Sequence, residues 1–167
     1  MTKVIRQRVT SARKLSDEMR KHSPLKKGIV VKNEDEPFEN YNKIMSRLYL
    51  GNKHAAKDKK FMKDQKIKAV LNCSKTKDIN NYFRDSDIEY MRIPVDDSLK
   101  KKDFEDMYKL LPSIVEYIHK HVDILKQPLF VHCYAGRQRS CCAIAAYLIG
   151  KHNMTPDEAC KMILDKR

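Results

Sequence analysis

Residues 133–140, Cys133-Tyr134-Ala135-Gly136-Arg137-Gln138-Arg139-Ser140, place a thiol, a glycine, two guanidiniums and a hydroxyl in one short segment. The segment joins an apolar run at 128–132 (PLFVH) to a second at 140–150 (SCCAIAAYLIG). If the first run is a strand and the second a helix, the thiol sits in a loop that opens onto a helix N-terminus. Unpaired backbone N–H groups and the helix dipole favour negative charge there, so the setting stabilises a thiolate. The same N–H groups, along Tyr134, Ala135, Gly136, Arg137 and Gln138, can cradle a phosphate dianion. Arg139, six residues past the cysteine, can close the ring with a two-point guanidinium clamp. Gly136 lets the backbone turn without a Cβ clash, and the Ser140 hydroxyl can donate to the sulfur when a covalent intermediate breaks. Nucleophile and phosphate cradle are then one loop, to which Arg137 adds a second guanidinium suited to a more highly charged substrate.

Such a loop needs a rigid frame. Residues 47–50 followed by Gly51 read as a short strand and turn, 67–73 (IKAVLNC) as a buried strand and 88–95 (IEYMRIPV) as a third. Phe104, Met107, Leu111, Ile114, Val115, Ile118 and Val122 then follow helical spacing, which predicts a helix over 103–122 with a kink at Pro112. Gly150 is the expected end of the helix after the cysteine loop, and Thr155-Pro156-Asp157-Glu158 opens a last one over 155–166. Buried strands alternating with helices imply an α/β domain with a central, mainly parallel sheet flanked by helices, running from 41 to 167. Ahead of it, Ile5, Val9, Ala12, Leu15 and Met19 form one stripe on a basic helix over residues 1–22. Pro24, Gly28 and Pro37 then mark a linker, so residues 1–40 form a basic N-terminal helical arm.

The chain has 167 residues, enough for one domain with a sizeable core and a short appendage. No apolar run approaches the ~20 residues a membrane-spanning helix needs, and the N-terminus carries no secretory pattern, so an intracellular, cytoplasmic setting is expected. Five cysteines are an odd count with no zinc-like spacing, so thiols are expected and no metal. The formal charge of +13 attracts phosphorylated proteins, nucleic acid or anionic lipid. Residues 1–27 alone hold nine Lys/Arg against Asp17 and Glu18. Their apolar stripe can bury itself on its own domain, on a second copy or on a membrane. A homodimer through this N-terminal helix is the favoured placement, because the linker suits exchange between copies and the narrow stripe lacks Phe or Trp to anchor in a bilayer.

Residues 132–140 (HCYAGRQRS) resemble the His-Cys-x5-Arg-Ser/Thr signature of the cysteine-dependent protein tyrosine phosphatases, and their small dual-specificity branch in particular. RLYLGN, AVLNCS, YMRIPVDDS and AAYLI occur in the order that family uses, so the resemblance covers about residues 41–167. It implies cofactor-free hydrolysis of phosphotyrosine and phosphoserine/threonine in proteins. Cys133 would attack phosphorus, Arg139 hold the phosphoryl group and a cysteinyl-phosphate form. A carboxylic acid must protonate the leaving oxygen. In the family this is an Asp after a strand like YMRIPV with a polar residue behind it, which Asp97-Ser98 fits better than Asp96-Asp97. Asp96 then serves the loop or solvent. His132 is expected to orient the cysteine loop.

Cys73 is either a packing residue or, as in some family members, a redox partner for an oxidised Cys133. Cys141, Cys142 and Cys160 read as packing. Because relatives acting on phosphoinositides and phospholipids also carry a basic residue at the position of Arg137, a lipid phosphatase is one alternative. An RNA 5′-phosphatase is another, although Ser140 argues against it, and a non-catalytic phosphate-binding protein is the third. Family members usually continue past a segment like CKMILDKR with a further helix that covers the domain, so either a neighbouring element replaces that cover or the sequence is a shortened one. Compact phosphatases with a basic N-terminal helix also occur in large DNA viruses, which makes a viral source an alternative.

Overall fold

The computed structural model describes residues 39–75, 79–83, 87–98 and 100–167. The striped helix of residues 1–22, most of the linker and the dimer proposed through them lie outside the described residues.

Among the described residues, five strands form one sheet: β1 (Tyr41–Met45), β2 (Leu48–Gly51), β3 (Ala69–Asn72), β4 (Glu89–Arg92) and β5 (Leu129–His132), in the order β1-β2-β5-β3-β4. Only the β1–β2 pair is antiparallel, with Tyr41 opposite Gly51. β5 lies at the centre, parallel to both neighbours, with Leu129 paired to Leu48 on one side and to Ala69 on the other. Every residue of β3 (AVLN) and β5 (LFVH) is buried, as suits strands covered on both faces. The ladders are shorter than the apolar runs that announced them. Ile67 and Val95 are buried but lie beyond the paired residues, while Cys73 and Ile93, one residue past their strands, still donate to the His132 and Asn72 carbonyls, so the hydrophobic signal ran past the ladder by following burial. β1 gave no such signal, because of its five residues only Ile44 is fully buried.

Side chains alternate across the sheet. Tyr49, Val70 and Phe130 face a small core with Phe61 and Met62 of α1 (Lys59–Asp64), where the Phe61 and Phe130 rings meet edge to face at 5.0 Å. Leu50, Leu71 and Val131 face the larger core under α2 (Lys101–His119), α3 (Arg139–His152) and α4 (Pro156–Lys166). α2 starts two residues before the expected position, runs through Pro112 and widens into a π turn over Lys120–Ile124. Asp123 of that turn accepts from the Tyr147 hydroxyl of α3 at 2.7 Å and meets His119 Nδ1 at 2.7 Å. α3 does not stop at Gly150, which stays helical where a Cβ would meet Val115 at 3.4 Å; it ends at Asn153, whose left-handed φ of 56° is a conformation asparagine tolerates. Thr155 caps α4 with a reciprocal box, its backbone N–H donating to the Glu158 carboxylate at 2.7 Å. No helix among the described residues is long and apolar enough to cross a membrane. The loops after β3, β4 and β5 leave the same edge of the sheet, where open α/β sheets bind ligands.

Candidate active site

Cys133 follows the last residue of β5 and is buried, with its Sγ accepting from the Gly136 backbone N–H at 3.2 Å and from Ser140 Oγ at 3.3 Å. Two donors from the same loop therefore meet the sulfur. Gly136 has a φ of 70°, and a Cβ there would lie 2.6 Å from the Gly51 carbonyl oxygen and 2.7 Å from the Arg167 guanidinium. Conformation and space both require glycine. The loop passes into α3 at Arg139, and no side chain caps this helix, whereas Asp58 caps α1 and Thr155 caps α4. The first-turn N–H groups of α3 are thus left for an anion.

Arg139 is buried and joins two loops. Its Nη1 donates to the Val95 carbonyl at 3.1 Å and its Nη2 to Asp97 Oδ2 at 2.9 Å, while its Nε has no hydrogen-bond partner among the described residues. A buried guanidinium N–H without an acceptor among the described residues is costly, which marks Arg139 as held for a purpose other than packing. Asp96 turns the other way: its Oδ2 pairs with Lys75 at 2.7 Å and its Oδ1 accepts from the Asp97 N–H at 3.0 Å. Ser98 fastens the same loop to the start of α2 through its N–H, which donates to the Asp103 carboxylate at 3.1 Å. The structure thus brings Cys133, Ser140, Arg139 and Asp97 to one place and leaves Asp96 outside it.

His132 stacks on Phe130 with centroids 5.2 Å apart. Burial pushes its pKa down to about 4, a hydrogen bond to the Cys133 backbone works against that, and the Arg92 charge adds to it. The ring is therefore neutral near pH 7. Tyr134, Ala135, Arg137 and Gln138 are exposed along the loop. Lys53 Nζ lies 3.7 Å from the Tyr134 ring centroid and donates to its hydroxyl.

Cys73 and Cys133 each lie one residue past the register partners Asn72 and His132, which places them side by side at neighbouring strand ends. Adjacent strands lie about 4.8 Å apart, inside the Cα separation a disulfide spans. Burial, with Cys133 adding to it, raises the Cys73 thiol well above the ordinary range. Burial likewise pushes Cys141 up to about 12 and Cys142 up to about 11.

Two features were not picked out as functional from sequence. Arg92 donates to the Ser74 carbonyl and to Asn81 Oδ1, both at 2.9 Å, and Asn72 Nδ2 reaches the same Asn81 oxygen at 3.0 Å. This network ties Ser74 and Asn81 to β3 and β4; its sequence signal was a polar residue in each apolar run, Asn72 in AVLN and Arg92 in YMRIPV. The second is Arg167, hydrogen-bonded to the cysteine loop, for which local sequence offered no signal. Among the described residues, no three His, Cys, Asp or Glu side chains group as a metal site.

A profile described as "Dual specificity phosphatase, catalytic domain" matches residues 48–167. The dual specificity protein phosphatase Mpk3 of Drosophila melanogaster is 31% identical over 77% of this chain, which spans 31% of that protein. Human dual specificity protein phosphatase 18 is 33% identical over 68% of the chain, which spans 56% of it. The chain thus spans between about a third and just over half the length of these two curated relatives. In fold, the crystal structure of PTPMT1 in complex with PI(5)P superposes with a TM-score of 0.64 at 24% identity, covering 77% of this chain and 84% of that one.

Proposed function

The chain belongs to the dual specificity phosphatase catalytic-domain family, and we propose that it hydrolyses phosphotyrosine and phosphoserine/threonine in proteins through a cysteinyl-phosphate. The observation that carries this reading is the constellation at one loop: Cys133 Sγ accepts from the Gly136 N–H at 3.2 Å and from Ser140 Oγ at 3.3 Å, and Arg139 beside it pairs with Asp97 at 2.9 Å. In the first step Cys133 Sγ attacks phosphorus, the bond to the leaving oxygen breaks and Asp97 delivers a proton to that oxygen. Arg139, the uncapped start of α3 and the loop N–H groups carry the charge on the other phosphoryl oxygens. Water then attacks phosphorus and gives its proton to Asp97. The sulfur leaves as Ser140 Oγ supports it. Tyr134, Ala135, Gly136, Arg137 and Gln138 form the loop around the phosphoryl group.

A second reading, a phosphoinositide or phospholipid phosphatase, is favoured by the exposed Arg137 and the Lys53 ammonium at the rim. One assay separates the two: kcat/KM on phosphotyrosine and phosphothreonine peptides beside a short-chain phosphoinositide, with Cys133→Ser as control. Peptide turnover at least tenfold above the lipid's, abolished in Cys133→Ser, is the expected result. The reverse ranking would install the lipid reading, and activity surviving in Cys133→Ser would sink the covalent route.

A further inference from the structure

Arg167 is remote in sequence from the site, yet its half-buried guanidinium lies against the back of the cysteine loop. Its Nε donates to the Gly136 carbonyl at 3.2 Å and its Nη2 to the Ala135 carbonyl at 3.4 Å. On the far side its Nη1 donates to the Glu39 carbonyl at 2.8 Å and to Asn42 Oδ1 at 2.6 Å, so one side chain ties the loop to β1. Both loop carbonyls belong to peptide planes whose other end is an N–H. In a trans peptide the C=O and N–H point in opposite directions. The plane of the Ala135 carbonyl carries the Gly136 N–H, which donates to Cys133 Sγ at 3.2 Å. The plane of the Gly136 carbonyl carries the Arg137 N–H, which by the same rule points away from Arg167. The Gly51 carbonyl presses on Gly136 as well, so the loop is wedged where a Cβ has no room.

Resting on the phosphatase reading above, we propose that Arg167 is a positioning residue of this site. By holding the Ala135 and Gly136 carbonyls outward it aims the Gly136 and Arg137 N–H groups at the sulfur and at the phosphoryl oxygens. Arg139 clamps the phosphate from the front, and Arg167 sets the loop from behind. The ligand it serves is the oxyanion, not a second phosphate, because four of its five N–H donors go to carbonyl and amide oxygens.

The test is orthovanadate binding, followed by calorimetry, beside turnover of an aryl phosphate, with thermal midpoints recorded for each variant. Arg167→Ala is expected to weaken vanadate about 10- to 100-fold and to lower kcat/KM in proportion, less than deleting an oxyanion donor outright. Arg167→Lys should fall between, since one ammonium cannot keep the paired geometry. Asn42→Ala, which frees the far side of the guanidinium and leaves the loop intact, should move vanadate in the same direction by a smaller factor. A merely structural Arg167 would lower the midpoint and leave vanadate affinity, measured well below it, within twofold of wild type; that result overturns the proposal. Should Arg167→Ala not fold, unchanged vanadate affinity in both Arg167→Lys and Asn42→Ala overturns it instead. Wild-type protein that binds vanadate without turning over aryl phosphate would refute the phosphatase reading alone, and the binding series would still decide the role of Arg167.

Discussion

Asp96 and Asp97 are neighbours with opposite surroundings, one paired with Lys75 and the other with Arg139, and this difference makes their roles separable by experiment. Asp97→Ala should slow alkyl phosphates by roughly 10²- to 10⁴-fold, the range for a lost general acid, and slow activated aryl phosphates far less. Asp96→Ala should leave the dependence on leaving-group pKa as in wild type; the slope of log kcat/KM against that pKa checks both. His132 offers a second handle. Its pKa near 4 in the folded protein lies below the ordinary 6.5, so between those values the unfolded chain binds more protons. Stability is therefore fully present above about pH 6.5 and falls as pH drops toward 4, by about 3 kcal/mol from this group alone. Urea unfolding of wild type and His132→Asn across that window should show the variant with the flatter pH dependence. Cys73 is the third case. Peroxide would take Cys133 to the sulfenic acid, and attack by the Cys73 thiol would form a disulfide and release water. Cys73→Ser is then expected to make recovery of activity by added thiol slower and less complete. Equal recovery would leave Cys73 a packing residue.

At the level of elements, what was legible in the sequence tracks how much of each element is buried. β3 and β5 are buried throughout and read as apolar runs, and α2 shows its stripe. β1 has one fully buried residue and α1 buries only the adjacent pair Phe61 and Met62, too few for any period to emerge. Asp58, whose carboxylate accepts from the Phe61 N–H at 3.0 Å, was the available sign of α1. The end of α3 was misplaced because Gly150 looked like a stop, while the left-handed cap fell to Asn153. The loop residues proposed to carry the chemistry were legible because Cys133, Gly136, Arg139 and Ser140 lie within one turn of chain. Arg167 was not, since its partners Gly136 and Asn42 are 31 and 125 residues away. One tie between elements makes a measurable prediction. Burial pushes the Asp123 carboxyl up, but hydrogen bonds from His119 and Tyr147 outweigh it and hold it below its usual value. Tyr147→Phe removes one donor to that charge while keeping the buried ring, so it should cost about 1–3 kcal/mol in urea unfolding at neutral pH. It should leave kcat on aryl phosphates unchanged.

For the molecule as a whole, net charge is the property that would govern which substrates arrive at the proposed site. Residues 39–167 hold 25 Lys/Arg against 17 Asp/Glu, a net +8, and the segment before them brings the chain to +13. Exposed lysines crowd the crossover from β2 to β3, with Lys57, Lys59, Lys60, Lys63, Lys66 and Lys68 within twelve residues. Some of this charge is spent locally, since Lys60 pairs with Asp64 one turn away. The surplus field still favours acidic partners, because charges of one sign over a surface raise encounter rates by roughly 10- to 10³-fold. Screening removes that advantage as the Debye length contracts from about 10 Å at 0.1 M salt to about 3 Å at 1 M. Two phosphotyrosine peptides with the same central sequence, one flanked by Asp/Glu and one by Lys/Arg, therefore form the test. The acidic peptide should have the higher kcat/KM at low salt and lose about tenfold of it by 0.5 M, with the effect confined to KM. The basic peptide should change little or gain, so that the two converge. Parallel salt dependence for both peptides would mean that the surplus charge does not steer substrate, and selection would then rest on the exposed loop residues Tyr134, Arg137 and Gln138.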